Sequence, residues 1–202
     1  MSTHRTQLLL VLLFTLSLPA RAVRVGEPAP DFTASDSNGQ SHTLSAYRGK
    51  FVVLEWHNRD CPYTRKQYES GNMEKLQQKW TMRGVEWFTV ISSAPGKQGY
   101  VTAAQENAYV LEVHAAPSAV LLDPEGKLGR LYQAKTTPHM FIIDPNDILI
   151  YNGAIDDKPT TDLSDIAAAH NYVDAALEAA LAGRPVEVSV TRPYGCSVKY
   201  PD

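Results

Sequence analysis

The sequence predicts an α/β protein with a mixed central sheet and helices on both of its faces. Three observations carry that expectation. The run Phe51-Val52-Val53-Leu54 is continuously apolar, as in a strand buried on both sides of a parallel sheet. A helical stretch from Pro62 to about Met82 and a second apolar strand at residues 85–91 complete a strand–helix–strand unit. Near the C-terminal end, the runs 139–143 and 148–151 are separated only by the turn Asp144-Pro145-Asn146-Asp147, so they pair antiparallel. Alternating strands and helices that close on a hairpin give a mixed sheet.

Each element has a local reason. Asp31-Phe32-Thr33 opens an extended segment, Ser37-Asn38-Gly39-Gln40 is a turn signal, and residues 41–44 return as the second arm of a small hairpin. Tyr47-Arg48-Gly49-Lys50 turns the chain into the first buried strand. Pro62 suits the first helical position, where its missing N–H leaves nothing unpaired. Tyr68, Met73, Leu76 and Trp80 recur at helical spacing, Gly71-Asn72 marks a kink, and Arg83-Gly84 is a stop. Residues 92–99 form a loop, 101–114 a second helix, 119–122 a short strand, and 124–134 a short helix containing Gly126 and Gly129. Residues 165–182 predict a long helix with Ile166, Val173, Leu177 and Leu181 on one face, ended by Gly183 and Pro185. The remainder, from residue 186, is a tail in which Pro193 and Gly195 permit a sharp bend.

The first 22 residues stand apart. His4 and Arg5 precede an apolar run at residues 8–18, and Pro19-Ala20-Arg21-Ala22 supplies a small-residue cleavage site. This reads as a secretory signal peptide cut after Ala22, too short to span a bilayer comfortably, so no stable membrane insertion is expected after cleavage. A periplasmic or secreted location follows. Residues 23–202 are expected to form one domain. The net charge of -3, with acidic and basic residues mixed, argues against a nucleic-acid partner. There is no nucleotide-binding glycine pattern, and no cofactor is expected.

Only two cysteines occur, Cys61 and Cys196. That is too few for a disulfide-stapled miniprotein; the pair suits one static bridge, a redox couple or two independent thiols. Cys61 falls between the first buried strand and the following helix. A helix N-terminus stabilises a thiolate through its free N–H groups and its dipole. Arg59, Arg65 and Lys66 add positive charge, which Asp60 opposes. Thr64, on the first helical turn, is placed for its hydroxyl to reach the Cys61 sulfur. His57 either approaches the thiol or points into the core. Thr137-Pro138 precedes an apolar strand; a cis bond there would turn the Thr137 backbone toward the thiol, whereas trans is the default.

The motifs W-H-N-R-D-C-P-Y-T, D-P-E-G-K-L-G-R-L-Y-Q-A-K-T-T-P-H-M-F-I-I-D, I-L-I-Y-N-G-A-I-D-D, A-L-A-G-R-P-V and G-C-S-V-K-Y resemble the thioredoxin-like redoxin family, AhpC/TSA, in its peroxiredoxin-like branch. The resemblance implies a thioredoxin-like fold and makes Cys61 the attacking thiol. It makes Thr137-Pro138 the cis-proline loop beside that thiol. It also implies an antioxidant thiol oxidoreductase that reduces hydroperoxides and is recharged by an external thiol reductant. Thr64 would orient the peroxide, Thr137, Pro138, His57 and Asn58 would contact substrate, and Cys196 on the tail would supply a second thiol. The sequence departs from the family pattern in two places. Leu54 and Asn58 replace the proline and threonine that precede a peroxidatic cysteine, and no arginine stands near the final hairpin, where Lys135 and His139 occur instead. Thr64 also replaces the second cysteine of a Cys-x-x-Cys pair. The alternatives are disulfide exchange on exported proteins and a non-catalytic binding domain. His57, Cys61 and His139 form no tight ligand cluster, so no metal is expected.

Overall fold

The computed structural model describes residues 23–202; the predicted signal peptide at residues 1–22 lies outside the described residues. A two-stranded hairpin comes first, β1 (Thr33–Ser35) against β2 (Ser41–Thr43), with Thr33 opposite Thr43. Its turn is fastened by the Asp36 carboxylate, which accepts the N–H groups of Asn38 and Gln40 at 2.8 Å each. Then follow β3 (Val52–Trp56), α1 (Pro62–Glu69), α2 (Asn72–Thr81), β4 (Glu86–Ile91), α3 (Ala103–Glu112), β5 (Ala119–Leu122) and α4 (Lys127–Tyr132). The chain continues through β6 (Thr136–Thr137), β7 (His139–Ile143), β8 (Leu149–Gly153), α5 (Tyr172–Leu181) and β9 (Cys196–Ser197).

The central sheet has the order β5-β4-β3-β7-β8. β3, β4 and β5 run parallel, and β7 pairs antiparallel with both β3 and β8. The mixed sheet and the closing hairpin are thus as the sequence predicts. All five residues of β3 are buried. Alternation along it splits the core: Val53 packs with Met73, Trp80, Trp87, Ile142 and Leu177 under α1, α2 and α5. Val52, Leu54 and Trp56 face the other way, onto Phe88, Leu128, Tyr132 and Phe141 under α4 and the N-terminal hairpin. Each fully buried large side chain contributes about 1.5–3 kcal/mol. This two-sided burial fixes the C-terminal end of β3, and with it Cys61.

Three helices differ from expectation. The helix predicted for residues 62–82 is two helices, because Gly71 takes a left-handed conformation (φ +69) that breaks the hydrogen-bond ladder. The helix predicted for 165–182 starts only at Tyr172. Asn171 caps it by accepting the Asp174 N–H, while residues 163–168 form a separate 3-10 turn capped by Asp162. Ile166 therefore does not share a face with Val173 and Leu177. Left-handed Gly126 and Gln133 trim the third helix to six residues.

Candidate active site

Cys61 is the N-cap of α1, with Pro62 at the first helical position. Its N–H bonds the Asn58 carbonyl at 3.0 Å, and its own carbonyl accepts the Arg65 N–H at 2.8 Å. The side chain has 0 % exposure. As a thiol it donates to the Thr137 carbonyl at 3.0 Å. The Thr137–Pro138 bond is cis, so the loop presents that carbonyl beside the sulfur.

Cys196 comes to the same place from the far end of the chain. β9 pairs antiparallel with β6, Thr137 opposite Cys196 and Thr136 opposite Ser197. The Cys196 N–H donates to the Cys61 sulfur at 3.4 Å. Gly195 makes the approach possible: its φ of +135 suits glycine, and a Cβ there would lie 2.0 Å from the Thr137 oxygen. Both cysteines are free thiols, Cys61 buried and Cys196 partly exposed.

The tail is fastened beyond this point. The Tyr200 hydroxyl donates to the Ala134 carbonyl at 2.8 Å, and its ring lies over Gly126 and Gly129, where a Cβ at Gly129 would come within 2.5 Å. The Arg130 guanidinium sits 4.8 Å from the centre of that ring. Lys97 binds the Tyr200 carbonyl at 2.8 Å, and the Ala94 N–H binds the Lys199 carbonyl at 2.8 Å.

The two thiols are driven apart electrostatically. Burial by itself would raise Cys61, but hydrogen bonding from the Cys196 thiol, from the Thr137 side chain and from the N–H groups of Thr64 and Cys196 outweighs it and leaves Cys61 below its ordinary value. Burial and the neighbouring Cys61 push Cys196 up to about 11.

Several predicted site residues have other duties. The Thr64 hydroxyl is buried without a hydrogen-bond partner, so it is the Thr64 backbone N–H, not the hydroxyl, that serves the sulfur. The cations expected to attract the thiolate are engaged elsewhere. Lys66 is buried, with its ammonium on the Lys158 carbonyl at 2.7 Å; Arg65 pairs with Glu69, and Arg59 lies 5.9 Å from the Tyr109 ring centre. Asn58 is buried: its side-chain oxygen accepts the Asp60 N–H at 2.9 Å, and Gly99 packs against it. His139 accepts the Lys135 N–H and bonds Asn152 at 2.8 Å, and burial pulls it down to about 4, so it is neutral at pH 7.

His57 likewise faces the core. It is 1 % exposed, with Nδ1 3.7 Å from Glu55 and Nε2 3.9 Å from Glu106, ion-pair rather than hydrogen-bond distances. Burial would lower it; Glu55 and Glu106 outweigh burial and raise it, and the Cys61 thiolate adds to the rise. Glu55 accepts Tyr68 Oη at 2.8 Å, Trp87 Nε1 at 2.8 Å and Gln77 Nε2 at 3.1 Å, and it stays below the usual carboxylate value despite full burial. Glu55 was legible as an acid inside the apolar run V-V-L-E-W; Glu106 carried no such signal. Among the described residues no group of three His, Cys, Asp or Glu side chains converges to hold a metal ion.

A mixed thioredoxin-like sheet, with a cysteine capping the first long helix beside a cis-proline loop and a second thiol against it, defines a thiol oxidoreductase of the thioredoxin superfamily. The chain belongs to the AhpC/TSA family, whose profile matches residues 25–152. That match stops short of Cys196. The thiol-disulfide oxidoreductase ResA of Geobacillus kaustophilus is 29% identical over 150 residues, 70% of this chain and 80% of that protein. A Synechocystis protein described as a candidate peroxiredoxin is 49% identical over 47 residues, 20% of this chain and 24% of that protein. The solved structure of a hypothetical protein from Sinorhizobium meliloti superimposes with a TM-score of 0.74 at 21% identity, covering 90% of this chain and 97% of that one, a likeness of fold.

Proposed function

We propose that this protein exchanges disulfides with exported polypeptides, using Cys61 as nucleophile and Cys196 as the second thiol. The observation that carries this reading is the register of β9 on β6. It puts an extended strand on the Thr137 edge with its cysteine opposite Thr137, the arrangement a polypeptide would take while disulfide-linked to Cys61. The Cys61 thiolate attacks a substrate disulfide, forming a mixed disulfide and expelling one substrate thiolate. Cys196 then attacks Cys61, closes the Cys61–Cys196 bond and releases the second substrate thiolate. The substrate gains two electrons and the protein pair loses them; an external dithiol restores it. Because Cys61 is enclosed, β9 has to leave β6 for a substrate strand to enter. A groove of ≈ 600 Å³, lined by Thr136, Asp156, Tyr194 and Gly195 among others, runs beside this edge.

Three features favour exchange over the hydroperoxide reduction expected from the resemblance. The Thr64 hydroxyl does not reach the sulfur, Lys66, Arg59 and Arg65 are engaged away from it, and His139 is neutral. The ResA relative, described as a thiol-disulfide oxidoreductase, also covers far more of the chain than the candidate peroxiredoxin does. The leader-like residues 1–22 support export, which would put the protein among disulfide-bearing substrates. Purified protein with a thiol reductant should reduce insulin disulfides, and Cys61→Ser should abolish this. Peroxide consumption without insulin reduction would sink the reading.

A further inference from the structure

We infer that re-reduction of the protein begins at Cys196: an external thiolate attacks the Cys196 sulfur of the Cys61–Cys196 disulfide and expels Cys61 as the thiolate. This rests on the disulfide-exchange reading above and adds the sulfur at which the reductant enters.

Thiol–disulfide exchange is an in-line displacement, so the entering sulfur needs an open line to the sulfur it attacks. Cys61 has no accessible surface. It is walled by the Thr137 carbonyl, the Cys196 N–H and the buried Thr64. Cys196 lies on the outer strand, partly exposed, next to the exposed Ser197. Lys199 places its ammonium 3.0 Å from the Ser197 hydroxyl, and its charge favours an anion at Cys196. An arriving thiolate therefore meets a positive charge at the sulfur it can reach.

The leaving group points the same way. Exchange is faster when the expelled thiol is the more acidic one. Cys61 sits at a helix N-terminus with the Thr64 and Cys196 N–H groups on its sulfur, whereas Cys196 stands on a strand, where burial raises it. Attack at Cys196 thus expels the stabilised thiolate; attack at Cys61 would expel the unstabilised one.

The step balances as follows. The reductant's first thiolate forms a new S–S bond to Cys196 while the Cys61–Cys196 bond breaks and its electron pair stays on Cys61. The reductant's second thiolate then attacks its own mixed-disulfide sulfur, and Cys196 departs as a thiolate that takes a proton from solvent. A dithiol leaves as a disulfide, having delivered two electrons. Substrate and reductant are thereby assigned to different cysteines.

The test uses the purified chain, oxidised with diamide and then exposed briefly to glutathione. Acid quenching, alkylation with N-ethylmaleimide and peptide mass mapping locate each adduct. The expected result is glutathione on Cys196 and maleimide on Cys61, in excess over the reverse by about tenfold or more. Glutathione on Cys61, or an even split, overturns this inference and leaves the exchange reading standing. Failure of oxidation to link Cys61 with Cys196 overturns both.

Discussion

The main-chain N–H of Cys196 lies 3.4 Å from the Cys61 sulfur, so the strand Cys196–Ser197 finishes the environment of the first thiol. The same strand covers that thiol and brings the second one to it. Cys196→Ala should therefore raise the pH midpoint of Cys61 alkylation by iodoacetamide, because the Cys196 thiol is the foremost hydrogen-bonding group that lowers Cys61. In the wild type that midpoint should fall below the ordinary thiol value of about 8.5. A midpoint unmoved by Cys196→Ala would mean that the helix terminus alone sets the reactivity.

With Cys196 replaced, the exchange cycle should stop at the mixed disulfide. Cys196→Ala incubated with a disulfide-bearing polypeptide should accumulate a covalent adduct on Cys61, visible on non-reducing gels. Cys61→Ser should form none there. An adduct equally abundant in wild type and Cys196→Ala would deny Cys196 its resolving role.

Tyr200 holds the tail in place, so loosening it should expose Cys61. Gly129→Ala brings a methyl group within 2.5 Å of the Tyr200 ring, and Tyr200→Ala removes the ring and its hydrogen bond to Ala134. Both should speed alkylation of Cys61 by about fivefold or more through local opening. Each should cost about 1–3 kcal/mol in denaturant unfolding. Unchanged alkylation in both variants would mean that the tail does not control access.

Glu74 supplies a pH-dependent stability term. Burial raises its carboxyl to about 7, and its Oε2 has no hydrogen-bond partner. A carboxyl raised by folding binds its proton more tightly in the folded state, so stability declines as pH rises from about 4.5 to about 7 and stays low above that. Glu74→Gln should therefore stabilise the protein at pH 8 by on the order of 1–2 kcal/mol, less than the full shift because solvent screens part of the charge. At pH 4 the difference should vanish. Equal urea midpoints for the two proteins at pH 8 would refute this.

His57 stands between two buried carboxylates, and its removal should take away the cation nearest to both. His57→Leu should cost about 3–5 kcal/mol. Adding Glu106→Gln should recover part of that loss, giving a non-zero coupling energy in a double-mutant cycle. Additive losses would show that the two side chains do not interact.

Much of this protein was written locally. The burial of β3, the hairpin at its end, the proline that starts α1 and the turn at Asn38-Gly39 all follow from residue type and period. Cys61 was legible because a thiol between a buried strand and a helix start has a defined electrostatic setting. The helix boundaries were less so. Gly71 read as a kink, and whether one left-handed residue bends a helix or divides it depends on how the two halves pack. The break before Asn171 depended on a cap competing with a continuing apolar pattern.

By itself the sequence determined the mixed sheet, the place of Cys61 at a helix start and the glycine that lets the tail approach. Tertiary structure alone decided which groups meet that thiol. It turned His57 onto Glu55 and Glu106, drew Lys66 to the Lys158 carbonyl, and replaced the Thr64 hydroxyl with its backbone N–H. It also laid Cys196 on the Thr137 edge across a long stretch of chain. The physical reason is that local period and propensity act over a turn or a strand. The partner of a buried thiol is chosen by which backbone groups still lack hydrogen bonds once the sheet has closed.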